Sequence, residues 1–299
     1  MKPVVGFIGL GIMGEGMLGN IIEKGGYRTV IYNRSAEKCA PFAEKGATVA
    51  SSPAQVVKEA DVTVLMLANS DAVQWVLGGK DGALSGISSG KTLIDMGTNT
   101  PEFNEKVKDL VEERGGDYLE APVLGSKVPA KEGTLTILVG GKEEKFEEYR
   151  ELFGTMGKAI FYMGEVGKAS QMKLIINQIM VGMLALFSEG LVAGERSGIS
   201  AQKMLEVVKN SVLNCPLFSI KGPNMIISHD FSPHFPLKHA QKDLRQALSR
   251  GDKLAVPMPV TAAANSLYIM ARDMGLGDED FSAVIKTLMR GDGEVHIDI

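Results

Sequence analysis

Two stretches of this 299-residue chain carry chemistry-bearing residues at a telling spacing. The first is Gly9-Leu10-Gly11-Ile12-Met13-Gly14, a GxGxxG that follows an apolar run and opens a helical pattern. In that setting the first glycine permits a tight turn and the second lets the backbone approach a pyrophosphate. The third lets the helix pack on a sheet, with its N-terminus facing the anion. With 35 glycines in the chain such spacings arise by chance, so the strand before and the helix after are what give the motif meaning. Which dinucleotide binds is decided about twenty residues on, where a carboxylate would accept hydrogen bonds from the ribose of NAD. The chain instead reads Tyr32-Asn33-Arg34-Ser35. A guanidinium pairs with and stacks over a 2′-phosphate-bearing adenosine, and Ser35 adds a donor, so these residues predict NADPH. The second stretch is Met172-Lys173-Leu174-Ile175-Ile176-Asn177. Lys173 and Asn177 are four apart and share one helix face. By itself the pattern fits either a lysine reaching solvent at a bend or one pointing into a cleft.

The elements that must hold these residues are legible from periodicity. Residues 4–8, 29–32, 62–67, 92–95, 118–123 and 134–139 read as short buried strands. Helical patterns over 36–44, 53–59, 101–113 and 142–153 alternate with them. Such alternation predicts an α/β Rossmann-type N-terminal domain with a parallel sheet covered on both faces, over residues 1–166. From 168 to 196 no proline interrupts an apolar pattern, which predicts one long helix. Helices over 201–210, 237–250, 260–274 and 281–289 follow, so residues 167–299 predict an all-α C-terminal domain joined by that long helix. The tail, 291–299, reads as loose.

Composition narrows the function classes. Lys plus Arg number 32 and Asp plus Glu 36, a net charge of −4, with no global pull toward nucleic acid or an acidic membrane. Two cysteines, Cys39 and Cys215, cannot build a disulfide framework, and reducing cytosol is the simplest compartment. The apolar run 174–187 carries Asn177 and Gln178 and falls short of the roughly 20 residues of a membrane span. The chain therefore reads as soluble and cytoplasmic, with no targeting segment. His229, His234, His239 and His296 match no zinc spacing, and the GxSxG at Gly86-Ile87-Ser88-Ser89-Gly90 precedes a strand pattern instead of sitting at a strand-to-helix turn, so neither metal nor acyl-transfer chemistry is expected. The apolar surface of the long helix exceeds what one helical domain must bury, which predicts a homodimer or homotetramer.

From about Val4 to about Leu288 the chain resembles the β-hydroxyacid dehydrogenase superfamily, which includes 3-hydroxyisobutyrate dehydrogenases. Within it the likeness is strongest to glyoxylate/succinic semialdehyde reductases. Its marks are Gly9 to Gly14, Asn33-Arg34-Ser35, Asp95-Met96-Gly97-Thr98, Glu120-Ala121-Pro122-Val123, Gly164-Glu165-Val166-Gly167, and Lys173 with Asn177. The run from Phe235 to Asp243 and the closing Gly275 to Ser282 continue the match. The resemblance implies NADPH-dependent reduction of small aldehyde acids such as glyoxylate and succinic semialdehyde. In that reading Lys173 donates the proton to the carbonyl oxygen and stabilises the developing alkoxide, and Asn177 fixes lysine and substrate. It further implies that Thr98 lies between nicotinamide and substrate and Lys242 near the cofactor. Leu67 and Ala68 would underlie the adenosine, and Phe235 and Asp243 would close over the substrate. Oxidation of a 3-hydroxy acid, or a non-catalytic NADP-binding module, are the alternative readings.

Two departures from the family pattern stand out. Where relatives carry a serine that holds the substrate carboxylate, this chain has Leu124, followed by Gly125 and Ser126. Leucine supplies no hydroxyl, although the backbone N–H groups of 124–126 can still bind an anion. One lost hydrogen bond to a charged group costs roughly 1.5–3 kcal/mol, which predicts weaker glyoxylate binding or a preference for a longer, more apolar aldehyde acid. The second departure is Ala169 in place of a glycine, harmless where φ is negative.

Overall fold

The computed structural model describes residues 2–289, and the tail 291–299, with His296, lies outside them. It divides into two compact units, Met1–Lys173 and Leu174–Ile299.

The first unit is built on nine strands: β1 (Val5–Ile8), β2 (Thr29–Tyr32), β3 (Thr48–Val49), β4 (Val62–Leu65), β5 (Thr92–Asp95), β6 (Asp117–Glu120), β7 (Val123–Leu124), β8 (Leu135–Gly141) and β9 (Gly157–Gly164). Their order is β3-β2-β1-β4-β5-β6-β8-β7, with β9 on the other side of β8. Strands β1 to β6 are mutually parallel. The sheet is not parallel throughout, however, because β8 runs antiparallel to both β6 and β7. The chain returns from β7 through one short helix, Lys127–Glu132, without the full crossover that a parallel neighbour requires.

Alternate residues along the strands feed different cores. Phe7, Val64, Ile94 and Leu119 pack on one face, with Met17, Leu18 and Ile21 of the helix Gly14–Glu23. Ile8, Leu65, Leu93 and Tyr118 pack on the other, with Val56, Val57, Val73 and Val76. A sheet covered on both faces buries successive strand positions, as β1, β4 and β5 do along their whole length. Helices begin where side chains can cap them: Ser52 accepts from Gln55 N–H, Asn69 from Ala72 N–H and Thr100 from Phe103 N–H. The pattern over 142–153 is broken at Tyr149 into Glu143–Glu148 and Arg150–Met156.

The second unit is helical. The long helix Lys168–Arg196 runs into it, followed by Ala201–Lys209, Pro216–Lys221, a π-helical turn Gly222–Ile227, Leu237–Lys253 and Pro259–Asp273. The segment Phe281–Thr287, expected as a helix to 289, is 3₁₀. Its core joins Val181 and Leu184 to Leu237, Leu244, Tyr268 and Phe281. At its centre Asp280, fully buried, takes the Lys221 ammonium at 2.8 Å on each oxygen. Asp280 also accepts the N–H groups of His234, Phe235 and Ser282. Burial pushes the Lys221 ammonium below its ordinary pKa, against the opposing pull of Asp280. A Lys221→Met substitution strands a buried carboxylate and should destabilise the fold by about 3–5 kcal/mol. Urea unfolding measures this, and an unchanged midpoint would contradict it.

Candidate active site

In a doubly wound sheet ligands gather outside the carboxyl ends of the strands, at the point where strand order reverses. Here that point is β1, which has β2 on one side and β4 on the other. Gly9 follows β1, Asn33 follows β2, Leu67 and Ala68 lie just past β4, and Thr98 lies just past β5. The expected cofactor residues of this unit therefore all occupy one end of the parallel strands.

The three glycines are required for different reasons. Gly9 has φ +108°, and a Cβ there would stand 2.3 Å from Met66 O. A Cβ on Gly14 would stand 2.0 Å from Gly9 O. A Cβ on Gly11, by contrast, would meet nothing within 4 Å, and its φ is unexceptional. Nothing in the fold demands a glycine at 11, so the open space over its backbone fits a ligand that comes close. Ile12 is 39 % exposed, and no side chain at Met13 caps the helix Gly14–Glu23. This cradle fits a dinucleotide pyrophosphate.

Asn33 braces the loop. Its Oδ1 accepts from Leu10 N–H at 2.9 Å while its Nδ2 donates to Ser35 O at 2.9 Å, tying the ends of β1 and β2 together. Arg34 between them is exposed. Beside this edge is a cavity of about 730 Å³ lined by Tyr32, Ser51, Ser52, Pro53, Gln74 and Trp75, among others. Past β5, buried Asp95 accepts from Gly97 N–H at 2.8 Å and from Asn99 Nδ2 at 3.0 Å, which fixes the turn carrying half-buried Thr98.

Lys173 is only 7 % exposed, and its ammonium donates to Val123 O at 2.8 Å. The lysine is thus held at the segment that continues into Leu124, Gly125 and Ser126. Leu124 is half-buried while Val123, its neighbour on β7, is buried, as strand alternation requires. Gly125 has φ +131°, and Ser126 does not use its side chain to cap the short helix after it.

In the second unit Asn177, 2 % exposed, donates to Asp243 Oδ2 at 2.6 Å. The other oxygen of Asp243 lies 3.2 Å from the Lys242 ammonium. Asp243 is 1 % exposed, so its carboxylate braces Asn177. Phe235 is half-buried and stands edge-on to Phe281, with centroids 5.4 Å apart. Among the described residues no group of three or more His, Cys, Asp and Glu is placed to hold a metal ion.

Three buried carboxylates that organise these residues, Asp95, Glu120 and Asp280, entered the sequence reading only as members of family motifs, with no role given to any of them. The available signal was their place, an acid ending an apolar strand or preceding a 3₁₀ turn.

Residues 4–164 match the family model described as the NAD binding domain of 6-phosphogluconate dehydrogenase. Residues 167–288 match the one described as NAD-binding of NADP-dependent 3-hydroxyisobutyrate dehydrogenase. Glyoxylate/succinic semialdehyde reductase 1 of Arabidopsis thaliana is 45 % identical over 95 % of this chain and 98 % of its own length. The chain belongs to the β-hydroxyacid dehydrogenase superfamily. Among solved members, a 3-hydroxyisobutyrate dehydrogenase from Salmonella typhimurium superposes with a TM-score of 0.87 at 25 % identity, covering 95 % of this chain and 99 % of that one. Psf3, solved with NADP⁺ and 2-OPP, superposes at 0.86 with 26 % identity over 95 % of this chain and 99 % of its own. A β-hydroxyacid dehydrogenase is an oxidoreductase, and residues 4–164, which include the glycine loop, match an NAD-binding domain model.

The glycines of this dehydrogenase separate by experiment. Gly14→Ala should lower stability by about 1–3 kcal/mol through overpacking. Gly11→Ala should move it by less than about 0.5 kcal/mol. It should nevertheless weaken dinucleotide binding about tenfold or more. Thermal melts and calorimetric titration measure the two effects, and equal loss of stability in both variants would refute the distinction.

Proposed function

We propose that this chain reduces small aldehyde acids, glyoxylate and succinic semialdehyde among them, to hydroxy acids with NADPH. The observation that carries the reading is the buried Lys173 ammonium, donating to Val123 O at the start of the Leu124–Gly125–Ser126 segment. Bound NADPH supplies the hydride to the carbonyl carbon. Lys173 gives its proton to the carbonyl oxygen and opposes the negative charge that develops there. Asn177, held by Asp243, orients lysine and substrate. The backbone N–H groups of 124–126 and the Ser126 hydroxyl receive the substrate carboxylate in place of the serine that relatives carry at 124. Gly9, Leu10, Gly11, Ile12, Met13 and Gly14 hold the pyrophosphate. Arg34 with Ser35 takes the 2′-phosphate, which is what favours NADPH over NADH.

The test is steady-state cofactor oxidation with glyoxylate and succinic semialdehyde side by side, each with NADPH and NADH. Turnover should favour NADPH, and Lys173→Ala should lose it while NADPH affinity stays intact. Leu124→Ser should raise the efficiency for glyoxylate relative to succinic semialdehyde by about tenfold, one charge-assisted hydrogen bond. NADH matching NADPH defeats the Arg34 argument, and an unchanged substrate ratio defeats that for Leu124. The family description over 167–288 and the Salmonella structure favour a second reading, oxidation of a 3-hydroxy acid. Faster turnover of 3-hydroxyisobutyrate with NADP⁺ than of either aldehyde acid with NADPH would select it.

We also infer a cytoplasmic homo-oligomer. Ile176, Ile179, Met183 and Leu186 recur every three or four residues along the long helix and are 36, 52, 38 and 69 % exposed. That helix is also long and apolar enough to cross a membrane by length and composition. Lys173 and Asn177, held by buried hydrogen bonds within the protein, argue for a helix of a protein interior and interface instead. Light scattering should find a dimer or tetramer at micromolar concentration, and a monomer there would overturn this.

A further inference from the structure

We propose that Glu120 is a positioning residue for the lysine, setting the depth and register at which the long helix delivers Lys173. The proposal rests on Lys173 being the proton donor. Glu120 ends β6 and is 0 % exposed. Its Oε1 accepts three backbone N–H groups from the start of the long helix: Gly167 at 2.7 Å, Ala169 at 2.9 Å and Ser170 at 3.2 Å. Its Oε2 accepts from Asn104 Nδ2 at 2.6 Å. Gly140 on the neighbouring strand leaves the room for this, since a Cβ there would stand 2.7 Å from Oε1.

First-turn N–H groups are ordinarily capped by a Ser, Thr, Asp or Asn immediately before the helix. Here the acceptor comes from a strand 47 residues upstream of Gly167. Capping alone does not need that distance, but a fixed relation between strand and helix does. Three residues beyond Glu120 on the same segment, Val123 O accepts the Lys173 ammonium. The segment therefore grips the helix twice, at the amides of its first turn and at the ammonium of Lys173, whose Cα lies about 5–9 Å further along the axis at 1.5 Å per residue. Sliding or tilting the first turn against Glu120 moves the ammonium relative to the 124–126 backbone that follows Val123. A displacement of about 1 Å at a reacting group costs about a hundredfold in rate.

The experiment is Glu120→Gln in the full chain, with NADPH-binding sites counted by calorimetry so that rates refer to folded protein. The glutamine oxygen left to the three helix amides is uncharged and holds them less strongly, and its Nε2 either opposes Asn104 Nδ2 or turns Asn104 over away from its present bond with Tyr118, so the helix start shifts. The kcat for the aldehyde acid should fall about a hundredfold. The KM for NADPH should hold, and the solvent deuterium isotope effect on kcat should rise as proton delivery becomes slow. Adding Asn104→Asp restores a carboxylate–amide pair with its polarity reversed and should recover most of kcat. Wild-type kcat and isotope effect per folded site in Glu120→Gln, whatever its melting temperature, would overturn the proposal and leave Lys173 as the donor. If Glu120→Gln does not fold, Asn104→Ala replaces it: it removes the tie on Oε2, and kcat should fall in the same way, an unchanged value overturning the proposal. A Lys173→Ala variant with wild-type kcat instead removes the donor reading, and this proposal with it.

Discussion

The amides at the start of the long helix converge on one carboxylate that solvent does not reach, and much of the first unit follows from that constraint. A buried charge is tolerated only when hydrogen bonds replace its hydration. Glu120 meets this condition with three amides and a side-chain amide from another helix. The price is that β6, the helix Pro101–Glu112 and the long helix cannot move independently. Gly140 has to be a glycine for the same reason.

The same device recurs on a smaller scale. Asp95 gathers an amide and a side chain within four residues and so shapes the turn past β5. Asp280 gathers three amides and an ammonium in the second unit, binding the bend at 234–235 to the 3₁₀ turn at Ser282. In each case a loop that bears a candidate site residue is organised by a carboxylate that solvent does not reach. Loops built this way hold their geometry without relying on their own sequence being rigid.

Residue periodicity carried most of the sheet. β2, β5 and the helix Pro53–Glu59 occupy the residues their apolar pattern indicates, and the long helix runs from Lys168 to Arg196 as its unbroken pattern requires. β3 escaped notice because a two-residue strand has no period to read, and β7 was merged into the strand expected over 118–123, which in fact breaks after Glu120 at Ala121-Pro122. β9 was missed although Ala159 to Met163 is an apolar run of strand length; the strand itself is mostly only half-buried. The helix Ser70–Leu77 was legible only through its Asn69 cap. At the site, glycines and the lysine were readable because their types are unusual where they stand. The role of Asn33 as a brace and the burial of Asp243 were not, since both depend on backbone amides and side chains brought from elsewhere by the fold.

Trp75 is the sole tryptophan of the chain. It is 58 % exposed on the rim of the cavity beside Tyr32, the residue before Asn33. All indole emission therefore originates in the first unit, and the second contributes none. An unfolding curve followed by that emission reports the first unit alone, whereas far-ultraviolet circular dichroism reports the helices of both. Where the two signals fail to coincide, the units unfold separately and the transition is not two-state.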